Sequence, residues 1–302
     1  MKNRRNFLKT GSLVAGSLLV TELDAFATPT VKLLAANLII MATNWGFNGN
    51  LVEFCAAAKK DGYDGIEVWV PGSITEMNAL SEAVSKAGLK LGLLAGGHDS
   101  NPTLHKKQFS DAIERAISLK PLYINCHSGK DYFSFDDNAA MVAMTIKQSA
   151  ASGVPIYHET HRGRMLFAAH VSKGFIDRFK ELKLTLDISH WCNVHEGLLG
   201  DQQINVDVAL ARTEHIHARI GHAEGPQVND PRAPEWKNEV KAHFDWWDKV
   251  IERKKIEGQS ITFLTEFGPP NYLQTLPFSG QPVADQWAIN KYMMETIRKR
   301  YS

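Results

Sequence analysis

The feature that most narrows the choice of fold is a repeated alternation along the chain. Apolar, β-rich runs of strand length recur, and each is followed by a stretch with helical periodicity, the pattern of parallel strands joined by crossover helices. Eight such pairs are present, with strands expected at 34–43, 65–70, 90–95, 122–127, 155–159, 184–188, 215–219 and 261–266. Helices are expected at 51–60, 74–86, 103–119, 138–152, 165–182, 205–212, 234–255 and 283–300. Glycine stands where helices should stop, in Lys60-Asp61-Gly62, Lys86-Ala87-Gly88 and Ser152-Gly153. An open doubly wound sheet shares the alternation, but no Gly-x-Gly-x-x-Gly follows the first strand and no Gly-Lys-Ser/Thr loop occurs. The predicted fold is therefore α/β, a single (β/α)₈ TIM barrel over residues 31–302.

Residues 1–27 read as an address. Arg4-Arg5 is followed by Phe7-Leu8-Lys9, an uncharged apolar stretch from Thr10 to Thr21, and a small-x-small cleavage pattern at Ala25-Phe26-Ala27. The apolar run is well short of the roughly 20 residues that span a bilayer, so a cleaved twin-arginine signal peptide and a periplasmic destination are expected, with no stable membrane anchor. Removing the segment turns 34 basic against 33 acidic residues into 30 against 31. Such a balance offers no broad basic field for nucleic acid and suits a small-molecule ligand. Trp236, Trp246, Trp247 and Trp287 lie on helices and are expected to pack against the barrel or against a neighbouring subunit of a homo-oligomer. The three cysteines, Cys55, Cys126 and Cys192, are an odd number for an oxidising compartment, so disulfides do not organise the fold, although two could pair. Cys55, on an apolar helix, reads as a small buried hydrophobe.

Polar residues fall, strand after strand, where an apolar run ends and distant parts of a barrel converge. The strings are Glu67-Val68-Trp69, Gly97-His98, Asn125-Cys126-His127, His158-Glu159-Thr160-His161, Asp187-Ile188-Ser189-His190, His215-Ile216-His217-Ala218-Arg219 and Thr265-Glu266. Carboxylates gathered in one mouth repel one another, and a cation removes the problem. Glu159, Asp187, His217 and Glu266 supply three negative charges and one imidazole, a set suited to one divalent ion, Mn²⁺, Co²⁺, Mg²⁺ or Zn²⁺. Arg162, Arg164 and Arg219 are candidates to hold a substrate carboxylate or phosphate, or to pair with Glu159 and Asp187. Trp45, Trp69 and Trp191 offer flat walls for a sugar ring. His158, His170 and His215 are expected to be structural, the first and last by pointing away from the mouth.

On these residues the chain resembles the xylose isomerase-like TIM barrel superfamily, which includes sugar phosphate isomerases and epimerases, hydroxypyruvate isomerases and endonuclease IV. The resemblance covers essentially the whole chain after the signal. It implies a metal held by Glu159, Asp187, His217 and Glu266; of these, Glu159 and Glu266 are expected to serve also as the catalytic acid/base pair. The segment Asp187-Ile188-Ser189-His190 is similar to the family's Asp-x-x-His, which implies a substrate contact for His190. His98 and His127 sit where additional ligands of endonuclease IV lie and read equally as packing residues or substrate contacts. With Arg219, Glu67, His161, Trp45 and Trp69 they complete the candidate substrate-binding set. Two departures bear on specificity: Met165 stands where the ketose 3-epimerases have a substrate-binding glutamate, and no Asp-x-His occurs between Gly221 and Pro234, where endonuclease IV binds further zinc. The expected activity is a metal-dependent sugar isomerase or epimerase that transfers a proton next to a carbonyl through an enediolate. The alternatives are a metal-dependent lyase or hydratase acting on keto-sugars or glycosides, and a non-catalytic periplasmic sugar-binding protein.

Overall fold

Each apolar run becomes a strand because both of its faces find cover, helices outside and opposing strands inside. The computed structural model describes residues 37–302; the expected signal peptide lies outside them. In chain order the elements are β1 (Leu38–Thr43), α1 (Leu51–Asp61), β2 (Gly65–Trp69), α2 (Ile74–Ala87), β3 (Lys90–Gly96), α3 (Pro102–Ser118), β4 (Tyr123–His127), α4 (Phe135–Ser152) and β5 (Ile156–Glu159). They continue with α5 (Ala169–Arg178), β6 (Leu184–Leu186), α6 (Ile188–Val194), α7 (Gln203–Leu210), β7 (Thr213–His217), α8 (Lys237–Glu257), β8 (Ile261–Thr265) and α9 (Gln286–Tyr301). The strands are parallel and close into a barrel in the order β1 to β8, with β1 against β8 from Leu38↔Ile261 to Ala42↔Thr265. The expected barrel is the observed fold.

Local chemistry explains the joints. Asn50 with Glu53, and Ser73 with Glu76, form capping boxes that satisfy the first amides of α1 and α2. Gly62, Gly88 and Gly153 end their helices in the left-handed conformation, as the sequence indicates. The outer faces of the strands join the helices in one large apolar core, whereas Ile39, Met41, Tyr123 and Leu264 plug the lower interior of the barrel. All three cysteines are free and buried. No helix among the described residues is long and apolar enough to cross a membrane.

Three segments depart from the sequence reading. The expected strand 184–188 stops at Leu186, because Asp187 caps a short helix, α6, by accepting from the Ser189 amide. The expected helix 165–182 begins only at Ala169, since Met165 N donates to Ser128 O (3.0 Å) and ties this stretch to the loop after β4. Strand β7 spans Thr213–His217, so Arg219 stands beyond its end.

Candidate metal centre

The four expected ligands arrive from four neighbouring elements. Glu159 and His217 are the last residues of β5 and β7, Glu266 follows β8 directly, and Asp187 caps α6. One ligand atom from each lies within 4.8 Å of all the others. All four are buried, Asp187 completely and Glu266, the most open, at 9% exposure. His217 Nδ1 is 2.8 Å from Glu266 Oε2 and 3.6 Å from Glu159 Oε1, and that Glu159 oxygen, shut away from solvent, has no hydrogen-bond partner.

Electrostatics shows what the cluster costs. Burial raises the Asp187 pKa to about 6; Arg219 opposes the rise, while Glu266 and Glu159 reinforce it. Burial also works against a charged His217, yet Glu266, Glu159 and Glu67 outweigh it and hold the imidazole well above its usual range. Glu159 is held well below the carboxylate range against its burial, by the charges of His127 and His217. Buried carboxylates, a partnerless oxygen and mixed oxygen and nitrogen donors fit a divalent cation.

Arg219 is the main internal counter-ion. Its Nη2 donates to Asp187 Oδ2 and to His190 Nε2 (2.8 Å), lies 3.5 Å from Glu266 Oε2, and its Nε donates to Ser189 Oγ (3.3 Å). The pairing with Asp187, one of the two readings left open by the sequence, leaves lone pairs on that carboxylate for an ion. Acceptance by His190 Nε2 requires a neutral ring, in agreement with its pKa, lowered by burial and by His161 and Arg219.

A further layer supports the expected ligands. Glu67 Oε1 lies 3.2 Å from His217 Nε2, on the far side of the ring from the quartet, and its Oε2 is 3.1 Å from His215 Nε2. A carboxylate behind a ligating imidazole fixes its orientation and tautomer. Asn125 Nδ2 donates to Glu159 Oε2 (2.7 Å) and Glu67 Oε1 (3.3 Å). His215 corrects the expectation that it points away from the mouth. Residues two apart share a strand face, so it lies inside with His217, over the ring of Tyr123 at 4.4 Å. His158 does point outward, to Ser128 Oγ and Thr145 Oγ1 at 2.6 and 2.8 Å.

Above the quartet opens a cavity of about 490 Å³. Among the expected substrate contacts, Trp45, Trp69, Glu67, His127, His161 and Arg219 line it, together with Glu266. His127 Nε2 is 3.1 Å from Glu159 Oε2, and the His161 ring lies 4.6 Å from that of His127 and 3.8 Å from that of His190. His190 is fully buried, one shell behind the lining. His98 is exposed and stands 6.0 Å from the Trp69 ring, outside the lining. Trp191 is core, donating to Leu166 O (2.9 Å). Sequence reasoning missed Tyr272, which packs edge-on against Trp45 at 4.9 Å and lies under the Arg219 guanidinium at 4.8 Å. It also left Asn125 without a role, although strand alternation from His127 would have pointed it inward. Gly268 has a steric reason: a Cβ there would come within 2.3 Å of the Trp45 ring.

A family model described as xylose isomerase-like TIM barrel matches residues 55–249. The chain belongs to this family. No curated protein matches the sequence. Among solved structures, a 3-keto-D-glucoside 4-epimerase from E. coli is similar at TM-score 0.57 and 16% identity, over 87% of this chain and 100% of that one. A probable 3-DHS dehydratase from Bacillus anthracis reaches 0.57 at 14% identity, over 88% and 99%. A xylose isomerase-like TIM barrel protein from Mycobacterium smegmatis, in complex with magnesium, reaches 0.60 at 10% identity, over 87% and 98%. At such identities the likeness is one of fold.

Proposed function

We propose that this family member is a divalent-metal-dependent sugar isomerase or epimerase that moves a proton on the carbon next to a carbonyl. The observation that carries the reading is the convergence of Glu159, Asp187, His217 and Glu266 on one point beneath the mouth. A divalent cation held by these four would offset their mutual repulsion and stabilise negative charge developing on a substrate carbonyl oxygen. Glu266 reaches the cavity and takes or returns the proton from its side, while Glu159, kept ionised, serves from the other. Asp187 and His217 mainly hold the ion, and Glu67 and Asn125 keep His217 and Glu159 in place. Arg219, braced by Asp187 and backed by His190, steadies a substrate oxygen, and Trp45 and Trp69 wall the sugar's apolar face. Residues 1–27 fit this picture as an export signal, which favours free or oxidised sugars over sugar phosphates as substrates.

The test is incubation of Mn²⁺-supplemented protein with a panel of ketoses and keto-glycosides in D₂O, followed by NMR. Deuterium next to the carbonyl, lost on chelation, is the expected result. A released leaving group would turn the assignment to a lyase, and binding without any exchange would turn it to a sugar-binding protein.

A further inference from the structure

One cation in the mouth is left unused by this scheme. After Glu159 the chain turns back on itself, with Arg164 N donating to His161 O (3.1 Å) and Gly163 in the left-handed region at φ +70°. The next residue, Met165, bonds Ser128 O and so bolts this loop to the one after β4. On that second loop Lys130 is clamped by Asn138, which accepts from its amide (3.3 Å) and donates to its carbonyl (2.9 Å). Two basic residues, Arg164 and Lys130, are thus carried on two loops stapled together.

Neither is held in a direct ion pair. Among the described residues, Arg162 bonds Asn193 Oδ1 (3.1 Å) and Arg219 bonds Asp187, but Arg164 and Lys130 form no ion pair, and exposed Asp131 pairs with neither. Arg164 lines the cavity, and its Nε is closed off from solvent without a hydrogen bond. A buried donor left unpaired carries a desolvation cost that a ligand oxygen would remove. Burial lowers the pKa of Arg164 against the charges of Glu159 and Asp131, and burial and the nearby Arg164 charge lower that of Lys130. Lys130 therefore feels the Arg164 charge, and an anion held at Arg164, on the cavity wall, relieves that repulsion. A guanidinium fork matches the geometry of carboxylate and phosphoryl oxygens.

The geometry points to an anion subsite on the β4–β5 side of the mouth, in which Arg164, backed by Lys130, binds a carboxylate or phosphoryl group of the substrate. The inference rests on the proposed sugar reading for the rest of the ligand and makes that ligand an anionic sugar.

Calorimetric titration of the full chain with Mn²⁺ tests it, using D-fructose, D-fructuronate and fructose 6-phosphate as probes. At least one anionic probe is expected to bind tenfold or more tightly than fructose, and which one does so separates carboxylate from phosphoryl recognition. Arg164→Gln should erase the preference while leaving fructose affinity within twofold, Arg164→Lys should keep part of it, and Lys130→Gln should reduce it several-fold. Absence of the preference in the unmodified protein overturns the subsite. So does an equal loss for fructose and the anionic probes in both Arg164 variants, which would mark a structural role. Loss of deuterium exchange with the preference intact would remove the proposed activity and leave the subsite standing.

Discussion

The two halves of the barrel mouth are built on different principles. On the β5–β8 side the functional groups are charged and hidden: Asp187 is fully buried, and its carboxylate is shared between Arg219 and Ser189. On the β1–β4 side the rim is aromatic and wet, with Trp45 36% and Trp69 44% exposed and His98 open to solvent. The first half contributes its polar atoms lower down, since Asn125 is in register with Tyr157, two residues below Glu159. Charge that must be held against repulsion needs a dry, cross-braced setting, whereas a surface that accepts a sugar ring needs shape and little bracing.

Substitutions should expose that contrast. The largest effect is expected for Glu266→Gln, which removes a proton carrier while keeping its size. Turnover should fall by about 10²–10⁴-fold with the fold intact by circular dichroism; retained activity in metal-loaded protein would take Glu266 out of that role. Next comes Glu67→Ala, which removes the buried carboxylate behind His217 and leaves the ring nitrogen of His215 without its acceptor, and which should cost about 3 kcal/mol in denaturant unfolding. A loss no larger than that of a surface residue would show that the braced half is not braced by Glu67.

A third expectation concerns pH. With no metal bound, Asp187 and His217 both have folded-state pKa values above their unfolded ones, so each binds more protons in the folded state. Their stabilisation is present at low pH and lost as pH rises, for Asp187 between its ordinary value of 3.8 and about 6 and for His217 above 6.5. Metal binding must displace the same protons, so the rise in Tm on adding Mn²⁺ should be larger at pH 8 than at pH 5. A pH-independent rise would contradict the assignment of Asp187 and His217 as ligands. On the aromatic side, Trp69→Ala should raise KM about tenfold and change unfolding by less than about 1 kcal/mol, because the ring is half in water. The smallest effect belongs to His98→Ala, expected within about twofold in kcat/KM, since its ring lies outside the cavity lining.

Much of the site was legible because a parallel barrel sends the end of every strand to one place. The carboxyl-terminal polar residues Glu159, His217 and Glu266 could be read directly from where their apolar runs stop, and Asp187 lies one residue beyond Leu186. Alternation was also sufficient for His158, but the same rule applied to His215 should have kept it with His217, two residues away, and there the reading failed. Tyr272 could not be found, because it comes from a long loop with no periodicity to aim it. The unpaired state of Arg164 was equally hidden, since pairing depends on what other loops bring near.

What the sequence by itself determined is short-range: periodicity set strand against helix, caps and glycines set the ends, and the count of alternations set a closed barrel. These follow from backbone hydrogen bonding and burial within about ten residues of each site. Only the tertiary structure decided which charge answers which. Arg219 meets Asp187 across 32 residues and Asn125 reaches His217 across 92, through space that exists only once the barrel has closed. The identity of the four residues is a property of the chain, but their function as one buried, counter-charged cluster is a property of the fold, because charges interact by distance and dielectric and not by order along the backbone.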